Sequence, residues 1–171
     1  MDKVKQFVKN YWFVPIVIGG VVLFNMFVGR FAMTVGGSMS PTLEDGDLLF
    51  VSLWEQRNPD YKRFDTIIVK NNGEFVVKRV IGLPGETVQI KTGKVYINDE
   101  PLDDYVDIAI ETAGRFSTPT TLKNDEYFVL GDNRNNSYDS RDFGAVNADK
   151  ILGLVKAKCF SFPVKTLKNT K

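Results

Sequence analysis

An uncharged and largely apolar run, residues 11–28, is the feature that most restricts how this chain can fold. As a helix its 18 residues would extend about 27 Å, close to the roughly 30 Å of hydrocarbon in a bilayer. Arg30 follows the run, but a long basic side chain can snorkel from a helix end and leave residues 31–33 to extend the apolar surface. The pattern therefore predicts a transmembrane anchor over residues 11–33.

Two other interpretations of the run stay open, a cleaved secretory signal and a buried core helix. The run is longer than the usual apolar core of a signal peptide. Residues 31–33, Phe-Ala-Met, also match poorly the small residues that precede a signal cleavage site. We therefore expect the anchor to be retained.

The charges on either side of the run indicate its orientation. Lys3, Lys5 and Lys9 precede it, whereas residues 31–56 contain four acidic residues and neither Lys nor Arg. Positive residues favour the cytoplasmic side of a membrane. We therefore expect a single-pass protein of the cell membrane, divided into a cytoplasmic N-terminus over residues 1–10, the anchor, an extracytoplasmic domain over residues 34–164 and a C-terminal tail over residues 165–171.

The chain beyond the anchor consists largely of short segments typical of β-strands. Asn-Asn-Gly at residues 71–73 and Pro84-Gly85 are tight-turn sequences, and residues 103–125 show no clear period and predict a long loop or an excursion from the sheet. The predicted fold class is mainly β, with short antiparallel strands preceded by one transmembrane helix. The predicted strands are rich in Val, Ile and Phe and comprise residues 48–53, 66–70, 74–81, 87–90, 94–97, 126–130 and 151–159.

Composition excludes several kinds of chemistry. The chain has no histidine, so a Ser-His-Asp triad, a Cys-His pair and an imidazole-bound zinc are excluded. Cys159 is the single cysteine and has no partner within the chain for a disulfide. A net charge of +1 without a basic stripe argues against nucleic acid as a partner. We expect no metal and no cofactor, so that a hydrolytic site would need a lysine of lowered pKa as its base.

Two short segments carry residues suited to that chemistry. Gly36 and Gly37 precede Ser38 and allow unusual backbone angles, which would free the Ser38 N–H to face a developing oxyanion, although such a segment is more often a plain linker. Ser40 competes as nucleophile, but Pro41 restricts its backbone. The strand period places Lys78 between two valines on one face, where burial would lower its pKa; the plainer alternative is an edge lysine whose charge faces solvent.

A third segment, residues 131–144, is dense in side chains that hydrogen-bond to backbone and to one another. On composition alone it is a polar surface loop with Asx turns. Asp139 and Arg141 are placed to form a supporting ion pair, and the Ser137 hydroxyl is suited to holding a neutral amine.

Together these segments resemble type I signal peptidases. The resemblance is carried by residues 37–43 (GSMSPTL) followed by Gly46-Asp47, by residues 77–86 (VKRVIGLPGE) and by residues 131–141 (GDNRNNSYDSR), and it spans residues 35–155. The family usually has Arg-Gly-Asp where this chain has Arg63-Phe64-Asp65, which affects only the expected local turn. The single anchor and small outer domain resemble the Gram-positive form.

The resemblance implies a signal-peptidase-like β fold in which Ser38 attacks the scissile carbonyl and Lys78 removes the hydroxyl proton. Ser137 would orient the lysine amine, and Asp139 and Arg141 would support it. Gly36 stands where some relatives have a serine that donates to the oxyanion. The residues expected to form the oxyanion site or to border the substrate strand are Gly36, Gly37, Met39, Val76 and Val77.

The implied partners are membrane lipid and the signal peptides of secreted preproteins with small residues at −1 and −3, bound in extended form. We expect a monomer. Two alternative functions stay open. One is a self-cleaving repressor-type Ser/Lys protease, although such proteins are soluble and carry a DNA-binding head. The other is a catalytically silent membrane module that binds peptides at a sheet edge.

Overall fold

The computed structural model describes residue 6 and residues 9–57 and 59–161, apart from the side chains of residues 25–27. Residue 6 and residues 9–11 are helical. Helix α1 (Val14–Phe27) follows, with Pro15 in its first turn, where the missing N–H has no helical partner to lose. No helix within the described part of the chain is long and apolar enough to cross a membrane. The predicted tail, residues 165–171, and most of the predicted cytoplasmic segment lie outside the described residues.

The rest of the described chain is mainly β, as the sequence predicts. The short helices are α2 (Trp54–Arg57) and α3 (Ser140–Phe143), with 3₁₀ turns at Gly114–Phe116 and Ala148–Lys150. The strands are β1 (Gly29–Met33), β2 (Asp47–Ser52), β3 (Thr66–Asn71), β4 (Glu74–Gly82), β5 (Thr87–Lys91), β6 (Lys94–Ile97), β7 (Glu100–Pro101), β8 (Thr120–Thr121), β9 (Glu126–Leu130), β10 (Val146–Asn147) and β11 (Ile151–Ser161).

These strands form two antiparallel sheets. The larger sheet has the order β1-β2-β11-β3-β4-β9-β10 and the smaller one β7-β6-β5-β8. The tight turn predicted between β3 and β4 is present, with Asn72 and Gly73 both at positive φ. Pro84 and Gly85 form the second predicted turn, closed by a hydrogen bond from the Glu86 N–H to the Leu83 carbonyl. All seven predicted strands are confirmed, within two residues at their ends.

The predicted extension of the anchor to residue 33 is wrong. The helix ends at Phe27, and β1 begins at Gly29 and pairs with β2 along its whole length. A side chain at residue 29 could not fit, because a Cβ there would lie 2.6 Å from the ring of Phe50 and 2.7 Å from the Val51 carbonyl oxygen. Apolar residues 31–33 therefore belong to the sheet, where pairing with β2 satisfies their backbone groups.

Three buried clusters fill the fold. One joins the smaller sheet to β9, the second lies around Tyr61 and β3, and the third packs Met39 and Leu43 against β2. The third cluster matters most for the site, because it buries the residue next to Ser38.

Residues 103–125 form the predicted irregular excursion, interrupted by the 3₁₀ turn and by β8.

Candidate active site

Ser38 and Lys78 meet in the fold although they lie 40 residues apart in the chain. Ser38 follows β1 in the loop that leads to β2, and Lys78 lies in the middle of β4. The Nζ atom of Lys78 is 2.9 Å from Oγ of Ser38, which is hydrogen-bond distance. The structure thus brings together the two residues that the sequence analysis expects to react.

Lys78 is buried, with 2% of its surface exposed, although it carries an amine. Its cross-strand partner on β3, Ile67, is fully buried as well. Burial lowers the pKa of Lys78, and Arg141 lowers it further, while the carboxylates of Asp139 and Asp132 act in the opposite direction. Burial is the largest of these effects, so the neutral amine is favoured relative to a lysine in water. The alternative of a solvent-facing lysine is wrong.

The loop around Ser38 leaves space in front of the hydroxyl. Gly36 has φ of 88°, the left-handed region that favours glycine, and a Cβ at Gly36 or Gly37 would meet nothing within 4 Å. Within the described residues the Ser38 N–H makes no hydrogen bond and is free for an oxyanion, whereas the Gly36 N–H donates to a carboxylate oxygen of Asp45 at 3.0 Å. The Ser40 hydroxyl is held by Glu44 at 3.1 Å, which favours Ser38 as nucleophile.

A turn of residues 131–135 holds the loop that contains Ser38, the candidate nucleophile. The Asn133 N–H donates to the Ser38 carbonyl at 3.0 Å, and the Asn133 side-chain amide donates to the Gly37 carbonyl at 3.1 Å. Gly131 packs so closely against Ser38 that a Cβ at residue 131 would lie 2.5 Å from the Ser38 carbonyl oxygen. Both contacts fix the backbone at Ser38.

Asp139 and Arg141 form the predicted ion pair. Both are buried, and the guanidinium donates to the two carboxylate oxygens at 2.8 and 2.9 Å. Asp139 also accepts from the Gly131 N–H at 3.0 Å and caps the short helix α3. The pair therefore supports the 131–135 turn as well as contributing charge near Lys78.

Ser137 lies at the site, but the hydrogen bond to Lys78 that the resemblance implies is not made. Its Oγ atom is buried and has no hydrogen-bond partner among the described residues. The hydroxyl faces Gly131, where a Cβ would come within 2.2 Å of it. The Ser137 oxygen is therefore left as an open acceptor beside Gly131.

A groove with a volume of about 140 Å³ opens next to Ser38. It runs between the end of β1 and the beginning of β4, whose residues 74–78 pair only with β3 among the described strands. Val35, at the rim, is 92% exposed. Four of the five residues expected to border the substrate line this groove, namely Gly36, Met39, Val76 and Val77, whereas Gly37 does not.

Arg79 is a supporting residue whose environment the sequence analysis did not predict. Its guanidinium donates to both carboxylate oxygens of the fully buried Asp132 and to the Phe64 carbonyl at 2.8 Å. Phe64 adopts φ of 71° in the turn where the family usually has glycine, a conformation rare for an aromatic residue. The strand period predicted only which face of the strand Arg79 lies on. It could not predict the partner of Arg79, because Asp132 is 53 positions away in the chain.

A serine hydroxyl beside a buried lysine, with a free N–H and an open groove in front, is the arrangement of a serine hydrolase that works without histidine. The chain matches the family described as signal peptidase, peptidase S26, over residues 5–160. It therefore belongs to the signal peptidase family, and it is a serine endopeptidase of the signal peptidase I kind.

Individual relatives agree with that assignment. The chain is 34% identical to a signal peptidase I of Bacillus amyloliquefaciens, covering 94% of this chain and 91% of the relative. It is 37% identical to signal peptidase I T of Bacillus subtilis strain 168, over 88% of this chain and 82% of the relative. The crystal structure of a signal peptidase I from Enterococcus faecalis V583 superposes with a TM-score of 0.50 at 33% identity, covering 56% of this chain and 97% of that one.

Proposed function

We propose that the protein is a membrane-anchored signal peptidase in which Ser38 is the nucleophile and Lys78 the general base. The observation that carries this proposal is the 2.9 Å contact between the Ser38 hydroxyl and a lysine that is almost completely buried. A serine protease without histidine needs another general base, and burial favours the neutral amine of Lys78 by lowering its pKa.

The reaction follows from this geometry. The neutral Lys78 amine takes the Ser38 proton as Oγ attacks the scissile carbonyl, and the Ser38 N–H stabilises the oxyanion. Lys78, now an ammonium, returns its proton to the leaving amine when the peptide bond breaks. The neutral amine then activates a water molecule, which hydrolyses the acyl ester and regenerates the Ser38 hydroxyl. In this proposal the Ser137 oxygen, which is buried and has no hydrogen-bond partner among the described residues, accepts from Lys78 while the amine changes partners.

The groove supports an extended substrate with small side chains. A chain lying between residues 33–36 and residues 74–77 would add a strand beside the unpaired half of β4. Residues −1 and −3 of that chain would point to the same face, because side chains alternate along an extended strand. The groove measures about 140 Å³, and we propose that it takes alanine-sized groups at both positions, as the resemblance implies.

Exposed apolar side chains support attachment to a bilayer. They cover α1 and continue onto the sheet, where Phe24 and Phe31 both pack against Phe50, with ring centroids 6.2 and 5.5 Å apart. Phe31 and Met33 remain more than half exposed on β1, close in sequence to Ser38. We place residues 11–28 in the membrane, the N-terminus in the cytoplasm and the catalytic domain, a monomer, outside, so that Ser38 works near the bilayer surface.

The test is cleavage of a purified preprotein with alanine at −1 and −3 by the detergent-solubilised full chain, followed by N-terminal sequencing of the product. We expect a single new N-terminus after the −1 residue. Ser38→Ala should abolish it, whereas Ser40→Ala, which removes the hydroxyl bound to Glu44, should retain activity. Equal cleavage by Ser38→Ala would overturn the proposed nucleophile, and no cleavage by the wild type would overturn the proposed substrate.

A further inference from the structure

A segment outside the catalytic sequence motifs contacts the same turn that holds Ser38. Residues 102–111, called the strap here, leave the smaller sheet at Leu102, whose N–H donates to the Val95 carbonyl at 2.9 Å. They return at Ile110, whose N–H donates to the Gly93 carbonyl at 2.9 Å. Between these points the strap arches over a cavity of about 310 Å³. Between the two backbone hydrogen bonds, polar side-chain contacts hold the middle of the strap.

Those polar contacts go to the 131–135 turn. Asp104 binds the guanidinium of Arg134 through both carboxylate oxygens, and Arg134, only 1% exposed, also donates to the Gly131 carbonyl at 3.1 Å. The Tyr105 hydroxyl donates to Asp132 at 2.8 Å.

Asn135 makes the third attachment. Its side-chain amide donates to the Ala109 carbonyl at 3.0 Å, and its side-chain oxygen accepts from the Glu111 N–H at 3.1 Å. Three residues of this turn, Asp132, Arg134 and Asn135, therefore attach it to the strap. Asn133, between them, carries the two hydrogen bonds to the loop of Ser38.

Tyr105 is the contact closest to the chemistry. Its hydroxyl and the Arg79 guanidinium share the fully buried Asp132, and Arg79 directly follows Lys78 in β4. The Tyr105 ring also lies under the Arg79 guanidinium, 4.7 Å from its centroid, and edge-on to Phe64. One side chain thus contacts both the strand of the base and the turn that supports the nucleophile.

We infer that the strap is a positioning element of the active site, and that the Tyr105 hydroxyl is the positioning group that fixes Asp132 between Arg79 and the 131–135 turn. The inference rests on the proposed Ser38 and Lys78 chemistry. It follows that loss of this hydroxyl changes the alignment of Ser38 and Lys78 without touching substrate. A small misplacement of reacting groups lowers the rate of the chemical step and leaves substrate affinity intact.

Tyr105→Phe tests this, because it keeps the ring and removes only the hydroxyl of a side chain that is half exposed, so the fold is retained. Tyr96→Phe is the matched control, since Tyr96 lies on β6 and its hydroxyl has no hydrogen bond with the 131–135 turn. Preprotein cleavage by the full chain is measured at several substrate concentrations. Titration with a serine-directed acylating inhibitor counts the competent sites, and thermal unfolding is followed in parallel.

For Tyr105→Phe we expect kcat per titrated site to fall about tenfold, because a misplacement of roughly 1 Å costs about a hundredfold in rate and the shift here is smaller. KM should stay within about twofold of wild type, and the unfolding midpoint should not change. Tyr96→Phe should match wild type. A wild-type kcat in Tyr105→Phe would overturn the inference, as would a raised KM at unchanged kcat or a loss explained by fewer folded sites. Failure of the proposed function is distinguishable, because the wild type itself would then not cleave.

Discussion

Replacing Lys78 with methionine should stabilise the fold while removing activity. The lysine is 2% exposed and burial lowers its pKa, so the folded state carries a cost that the unfolded chain does not. Each unit of lowering costs about 1.4 kcal/mol of folding free energy at pH values below the folded-state pKa. Methionine has a straight apolar side chain of similar length and avoids this cost.

The substitution also removes the hydrogen bond to Ser38, which is worth about 0.5–1.5 kcal/mol. Ser38 is only partly buried and can bond to water instead. The net expectation at neutral pH is a gain of about 1–2 kcal/mol, or a rise of roughly 2–8 °C in the unfolding midpoint of a domain of this size. Cleavage activity should be lost completely.

The dependence on pH gives this prediction its sign. Between the lowered folded-state pKa and the ordinary value near 10.5, unfolded Lys78 binds a proton that the folded protein lacks. Wild-type stability therefore rises with pH in that window, and the advantage of Lys78→Met shrinks towards zero as the pH approaches 10.5. Urea unfolding followed by circular dichroism, near neutral pH and at about pH 10, measures both values. An advantage that is absent near neutral pH, or equal at both pH values, would refute burial as the cause of the lowered pKa.

Three further predictions concern the reaction. Lys78→Arg should lose at least about a hundredfold in kcat/KM, because a guanidinium stays protonated and cannot act as a base. Lys150→Arg, at an exposed site, is the control and should be unaffected. Near wild-type cleavage by Lys78→Arg would exclude the lysine base. Wild-type kcat/KM should rise with pH through an apparent pKa below 10.5, since the neutral amine is the active form, and a limb at or above 10.5 would contradict this. Ser137→Ala should lose about 1–3 kcal/mol of transition-state stabilisation in steady-state cleavage, and an unchanged rate would remove Ser137 from the site.

Sequence periodicity was sufficient for the strands because alternation and turn residues are local signals. It failed at β1, where apolar residues 31–33 continue the preceding run and carry no change of period. The pairing of Ser38 with Lys78 joins residues 40 positions apart, so it came from the resemblance and not from any local pattern.

The supporting contacts of the site were the least predictable. Asp104 and Arg134 are 30 residues apart, and Tyr105 and Asp132 are 27 apart. Each pair is brought together by an irregular segment, and such a segment has no hydrophobic periodicity from which its path could be predicted. Sequence composition indicated only that residues 131–144 hydrogen-bond extensively, without indicating the partners.

The unpaired half of β4 also bears on the order in which products leave. In the proposed reaction the mature protein departs first, as the amine, while the signal peptide is still esterified to Ser38. Residues 74–77 have no partner in β9, so a signal peptide bound as an added strand would keep its backbone hydrogen bonds to them after hydrolysis has cut the covalent link. The spent signal peptide is therefore the slower product to dissociate, and inhibition by accumulated product should come from this fragment and not from the mature protein.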